Sequence, residues 1–117
     1  MKPAPIKELI KFEDFEKLDI RVGTILSVLE VENSDKLMQL IVDFGDHQRS
    51  ILSGFKKERD NPADIEGKQA LFVVNFPERK MAGQLSQGML FDIGYEDKLQ
   101  PCLAMPEVTV PSGARAG

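Results

Sequence analysis

An all-β domain is the fold class that this sequence predicts, on three observations. Five short apolar runs rich in β-branched residues are spaced along the chain and separated by turn residues. The first run is long enough to serve two sheet edges, and its apolar set changes parity as that of a bent strand does. Between the third and fourth runs lies a polar stretch with a single helical turn in place of another strand. Together these describe a five-stranded Greek-key barrel of the OB type, preceded by a short N-terminal helix and followed by a C-terminal extension.

In chain order, residues 2–5 are expected to be a loose tail and residues 6–11 a short helical turn, so that 1–11 form an N-terminal extension. Phe12, Phe15 and Leu18 recur at helical spacing, with Glu13, Asp14 and Glu16 near the start, which predicts a short helix plugging one edge of the core. Residues 19–31 read as the first strand. Its parity switch lies between Val22 and Ile25, which places a bulge or bend at Gly23. Asn33-Ser34-Asp35 is turn chemistry, and residues 37–44 and 47–53 are the second and third strands, joined at Gly45-Asp46 by a two-residue turn with glycine first. Asn61 caps a helical turn that begins at Pro62. Residues 68–74 and 88–93 are the fourth and fifth strands. The tail from Pro101 holds Pro106 and Pro111, with short extended pieces such as residues 108–110.

A chain of 117 residues with 42% hydrophobic and 29% charged residues builds one core without staples. The lone Cys102 cannot close an internal disulfide, so a reducing cytoplasm is expected, and the thiol reads as a small core filler. No apolar run approaches membrane-spanning length, no signal segment opens the chain, and no membrane partner is expected. The net charge of −4 excludes a molecule coated in basic charge, so any anion must be bound by a local patch.

Catalytic patterns fail one by one. Gly83 and Gly88 have the spacing of a phosphate-binding loop, but Met89 stands where its lysine belongs and Leu90 where its Ser or Thr belongs. The residues before Gly88 lack the first glycine of a nucleophile elbow. One histidine, His47, and one cysteine supply neither a triad nor a zinc site; His47 reads as a solvated turn residue. No enzyme activity, cofactor or metal is expected.

Binding is what remains. Cations fall at Lys36, at Arg49, in the Lys56, Lys57 and Arg59 group, and at Arg79-Lys80. Residues 75–89 change the character of the chain between two core strands: Pro77, Gly83 and Gly88 shape the backbone while Arg79 and Lys80 carry charge, which reads as a rigid loop offering cations and N–H groups to an anion. In an OB barrel the loops that hold Lys36 and Arg79 flank one face.

These residues carry a resemblance. Phe15-Glu-Lys-Leu-Asp-Ile-Arg-Val-Gly23, Asn33-Ser-Asp-Lys-Leu37, Ser53-Gly54, and Asn75-Phe-Pro-Glu-Arg-Lys-Met-Ala-Gly83 with Ser86-Gln-Gly-Met89 are similar, in order, to the motifs of the tRNA-binding domain family. That family includes stand-alone dimeric tRNA-binding proteins, the C-terminal domain or β subunit of methionyl-tRNA synthetase, and a CsaA-type export chaperone. The resemblance implies that residues 12–117 form an OB-fold tRNA-binding domain, and that tRNA, a second copy of the chain and an aminoacyl-tRNA synthetase are partners. It puts Asn33, Lys36, Ser53, Asn75, Arg79, Lys80, Ser86 and Met89 on the tRNA-facing side. Lys36, Arg79 and Lys80 would meet phosphates; Asn33, Ser53, Asn75 and Ser86 would donate to phosphate or ribose, or brace the loops.

The version of the loop at residues 74–77 is closer to the chaperone branch, which binds unfolded polypeptide, whereas Asp35-Lys36-Leu37 and Lys80-Met81 are closer to the tRNA-binding branch. Glu78 inside the basic loop weakens its field. With no Trp and only Tyr95 among tyrosines, and with Phe76 the one aromatic ring expected to be exposed, the chain is poorly equipped to thread a bare single strand; recognition of a folded RNA by shape and phosphate fits better.

Overall fold

Strand β1 (Ile20–Glu30) carries the barrel. The computed structural model describes residues 1–117. The first half of β1 pairs antiparallel with β4 (Gln69–Val73), from Ile20 opposite Val73 to Thr24 opposite Gln69. Its second half pairs with β2 (Met38–Asp43), from Thr24 opposite Asp43 to Glu30 opposite Met38. One strand thus serves two neighbours, as its length predicts. The bulge lies between Ile25 and Ser27, not at Gly23. Gly23 answers a different need: a Cβ there would collide with the Val42 side chain and the Phe44 ring. The Val28 N–H beside the bulge donates to the Glu66 carboxylate at 2.8 Å, so the irregular backbone is satisfied by a side chain.

Strand β2 alternates Met38, Leu40 and Val42 inward, then turns at Gly45-Asp46 into β3 (Gln48–Ser53). Gly45 has φ +98° and Phe44 N–H donates to His47 O at 2.9 Å, as a turn with glycine first requires. A 3₁₀ turn, Pro62–Ile65, is capped by Asn61 accepting from Ala63 N–H, and it drives the fully buried Ile65 into the core. Phe72, Ile25, Leu40, Ile51 and Val42 complete that core, with Phe44 edge-on to Phe72 at 5.6 Å between ring centres. Each fully buried side chain of this size contributes about 1.5–3 kcal/mol.

Residues 75–89 correct the loop reading. They fold as a hairpin, β5 (Arg79–Met81) against β6 (Gln84–Ser86), with Ala82-Gly83 as its two-residue turn. The expected fifth strand is split. β7 (Met89–Leu90) pairs with β4, while β8 (Asp92–Ile93) leaves to pair with β9 (Cys102–Leu103). The strand order β3-β2-β1-β4-β7 is that of a Greek-key barrel. It closes across β3: Gln87 N–H donates to Ser50 O at 2.8 Å, Ser50 N–H to Gln87 Oε1 at 2.9 Å, and Leu52 N–H to Ser86 Oγ at 3.0 Å.

Three further expectations are corrected. The helix α1 (Phe12–Glu16) forms, with Asp14 accepting from Lys11 N–H at 3.2 Å, but it plugs nothing: Phe12 is 74% exposed and no residue of α1 is buried. Residues 6–11 have no regular structure, and Ile6, Leu9 and Ile10 are exposed. Cys102 lies exposed on β9, which pairs with β8 in a separate two-stranded sheet and adds no strand to the barrel. The C-terminal extension ends in β10 (Arg115–Ala116), paired with β1 opposite Arg21 and Ile20. No helix is long and apolar enough to cross a membrane.

Candidate nucleic-acid interface

Two loops and a hairpin converge beside the open end of β3. In the loop after β1, Asn33 sits in the left-handed region at φ 63°, which asparagine tolerates. Ser34 Oγ accepts from Leu37 N–H at 3.0 Å and folds the loop over itself. Lys56 then ties the loop down: its backbone N–H donates to Lys36 O at 3.0 Å, and its ammonium reaches Glu30 at 3.0 Å and Ser34 O at 3.3 Å. Lys36 keeps an exposed side chain with no ion pair.

Strand parity divides the hairpin. Arg79 stands opposite Ser86 and Met81 opposite Gln84, while Lys80 stands opposite Leu85. Alternate residues face opposite ways, so the adjacent cations Arg79 and Lys80 part company. Arg79, Met81 and Ser86 line a groove of about 440 Å³ together with Ser53 and Met89. That groove runs on, through Ser53, Gly54 and Tyr95, into a cavity of about 640 Å³ lined by Asn33, Lys36 and Arg59. Six of the eight expected residues therefore border one continuous depression: Asn33, Lys36, Ser53, Arg79, Ser86 and Met89.

The remaining two lie elsewhere, and Ser86 is only nominally in the set. Asn75 Oδ1 accepts from Asp19 N–H at 2.8 Å and its Nδ2 donates to Lys17 O at 2.7 Å, so its amide joins the end of β4 to the start of β1. Lys80 lines neither part of the groove. Ser86 is 3% exposed; its hydroxyl accepts from Leu52 N–H and donates to Gly88 O at 3.2 Å, which seals the barrel and leaves no free donor. Met89 is exposed. Arg49 is also occupied internally: Nη1 donates to Val74 O at 2.7 Å and to Gln87 O at 3.0 Å, and Nε donates to His47 Nε2 at 3.0 Å. His47 itself pairs with the Asp46 carboxylate, whose acid is held below the usual range by that contact, and stacks on Phe44. No group of three or more His, Cys, Asp or Glu side chains is placed to hold a metal ion.

The groove holds residues that the motifs did not single out for it: Arg59, Tyr95, Glu58 and Asp92. Arg59 carried a signal as one of the candidate cations and Tyr95 as the chain's sole tyrosine, whose exposure was not expected; Glu58 and Asp92 lay in stretches read as polar linker and core strand. The Glu58 carboxyl is pushed above its ordinary value by burial and by the Asp92 charge, against the opposing pull of Arg59.

A family model described as "Putative tRNA binding domain" matches residues 20–115. The methionine–tRNA ligase of Parabacteroides distasonis is 40% identical over 114 residues, which is 97% of this chain and 16% of that protein. The methionine–tRNA ligase of Archaeoglobus fulgidus is 40% identical over 109 residues, 93% of this chain and again 16% of that protein. The chain thus spans about one sixth of the length of these relatives. Among solved structures, a methionyl-tRNA-synthetase-related protein from Pyrococcus horikoshii superposes with a TM-score of 0.86 at 36% identity, covering 95% of this chain and 100% of that one. The chaperone CsaA of Bacillus anthracis superposes with a TM-score of 0.79 at 30% identity, covering 94% of this chain and 100% of that one.

Proposed function

The chain belongs to the tRNA binding domain family, and on that premise we propose that it is a non-catalytic module that holds folded tRNA by shape and phosphate contacts, in partnership with methionyl-tRNA synthetase. The observation that carries this reading is the division of labour among the cations. Arg49 and Lys56 are consumed by internal contacts, whereas Lys36 and Arg79, neither of them ion-paired, border the two ends of one continuous groove. Arg59 joins them in the groove, and Lys80 reaches RNA from the other face of the hairpin. Asn33 and Ser53 supply neutral donors between the charges, and Met89 an apolar contact. Asn75 and Ser86 are assigned to bracing, since their polar atoms are occupied.

The working unit is proposed to be a symmetric dimer in the reducing cytoplasm. Ile6, Leu9, Ile10, Phe12 and Val108 are large apolar side chains left exposed, and a two-fold contact would bury them. Light scattering at micromolar concentration tests the pairing, and a monomer contradicts it.

A second reading has its own support. The groove has apolar stretches, and the chaperone CsaA superposes well; an unfolded polypeptide is the other candidate occupant. The two ligands respond oppositely to salt, because phosphate binding releases counterions and apolar binding does not. Titrating the protein with total tRNA and with a reduced, unfolded polypeptide, each at low and high salt, separates them. The proposal expects tRNA to bind and to be lost as salt rises. Binding of the polypeptide alone, undiminished by salt, contradicts it.

A further inference from the structure

The larger part of the groove is lined for more than phosphate. Besides Lys36 and Arg59 it is lined by the carboxylates of Asp35, Glu58 and Asp92. An ionised carboxylate only accepts hydrogen bonds and repels a phosphate oxygen. Below these groups Phe55 and Leu90 form an apolar floor, and the volume of about 640 Å³ is that of a site for a small organic group. Tyr95 borders both parts of the groove and is 61% exposed, and its backbone is part of a hydrogen-bonded turn. Its carbonyl accepts from Lys98 N–H at 3.1 Å, and Gly94 O accepts from Leu99 N–H at 2.9 Å and Asp97 N–H at 3.2 Å. An exposed aromatic ring, an apolar floor, carboxylate acceptors and two cations in the lining of one cavity match the several surfaces of one nucleotide: a flat ring, an edge of N–H donors and flanking phosphates.

We infer that this cavity takes a single unstacked base of the bound tRNA, stacked on Tyr95, with its N–H edge on Asp92 and Glu58 and its neighbouring phosphates on Lys36 and Arg59. The inference rests on the tRNA reading and adds a preference to it. Guanine offers two parallel donors, an imino and an amino N–H, that match the two oxygens of one carboxylate. Uracil offers one N–H between two carbonyls, which the carboxylates repel. Guanine is therefore the favoured occupant and uracil the excluded one. The raised Glu58 carboxyl agrees with this, since a donor-rich ligand relieves the repulsion from Asp92 that helps to raise it.

The chain supplies its own reporter: Tyr95 is the sole tyrosine. Protein labelled with ¹³C-tyrosine gives the ring signals of one residue, which are followed during titration with GMP, with UMP, with tRNA and with an unfolded polypeptide. The inference expects tRNA to shift the ring, and GMP to shift it at a concentration at least about tenfold lower than UMP, in line with one bidentate base contact. Asp92→Asn is expected to abolish that preference. Tyr95→Ala is expected to weaken tRNA binding about tenfold, and Tyr95→Phe to restore it, with the amide spectrum as the folding control. If tRNA binds while the ring stays unshifted and Tyr95→Ala binds normally, the base site is overturned and the tRNA reading stands. Equal response to GMP and UMP overturns it, as does a ring shifted by the polypeptide and by no nucleotide. If tRNA fails to bind the wild-type protein, the proposed function falls first and takes this inference with it.

Discussion

Ala82 occupies the left-handed region, φ 49°, at the tip of the β5–β6 hairpin, and Gly83 follows at φ 82°. Both central positions of this two-residue turn require positive φ, where an alanine Cβ meets the backbone and asparagine or glycine is at ease. The hairpin places Arg79 in the groove, so the strain sits next to the proposed phosphate contact. Ala82→Asn is expected to stabilise the protein by about 0.5–1 kcal/mol, read as a higher urea midpoint at unchanged slope, with the groove's charges untouched. A lower midpoint would mean that the turn is not held in this conformation. Residue identity also explains why the hairpin was hard to read. Asn-Gly is a strong turn signal and Ala-Gly is not, and three-residue strands bearing Arg79, Lys80 and Gln84 bury too little to show a strand pattern.

At the scale of elements, the C-terminal extension is a strap around β1. Val22 N–H donates to Ala114 O at 2.8 Å, Gly113 N–H donates to Val22 O at 2.7 Å, and Gln69 exchanges two bonds with Val110, at 2.7 and 3.0 Å. Asp19 fastens the end, accepting from Arg21 Nε at 2.6 Å and facing Arg115 at 3.4 Å. The Arg21 hydrogen bond holds the Asp19 carboxyl below its ordinary 3.8, against burial, and the Arg115 charge adds to it. A depressed acid stabilises the fold above its unfolded value and loses that contribution as pH falls through the folded one. Asp19→Asn should therefore be less stable than wild type near neutral pH, with the gap closing on acidification below 3.8. Melting curves across that range check this, and a gap independent of pH would contradict it. The first four barrel strands and the capped turn at Pro62 were legible because each carries buried apolar residues in a strand pattern or its own cap, whereas the fifth, read as one strand over 88–93, is split between β7 and β8. The strap was not legible: β10 is a strand of two residues held by β1 at the other end of the chain, which leaves no local pattern. Asn75 and Ser86 were legible as motif positions, but whether a polar side chain faces solvent or closes a barrel depends on contacts far away in sequence. The bulge at Ile25–Ser27 was assigned to Gly23 because parity shows that a strand bends and not where.

The whole molecule is acidic, with a net charge of −4, and so the proposed affinity for a polyanion must come from how its few cations are placed and freed. The fold places them by joining three distant stretches. The loop after β1 brings Lys36, the linker after β3 brings Arg59 and the β5–β6 hairpin brings Arg79 and, on its other face, Lys80, while Lys56 and Arg49 hold the framework. The central claim is that these freed cations bind tRNA through its phosphates. It is tested most directly by tRNA affinity over roughly 50 to 200 mM salt for wild type, Lys36→Ala, Arg79→Ala and Lys80→Ala. Neutralising about four phosphates predicts a slope of log affinity on log salt near −3 for wild type, a loss of about sixty-fold over that range. Each substitution should flatten the slope by about one unit and weaken different tRNAs alike, because phosphates carry no sequence identity. Variants that fold normally and bind with unchanged affinity and unchanged slope would contradict the claim.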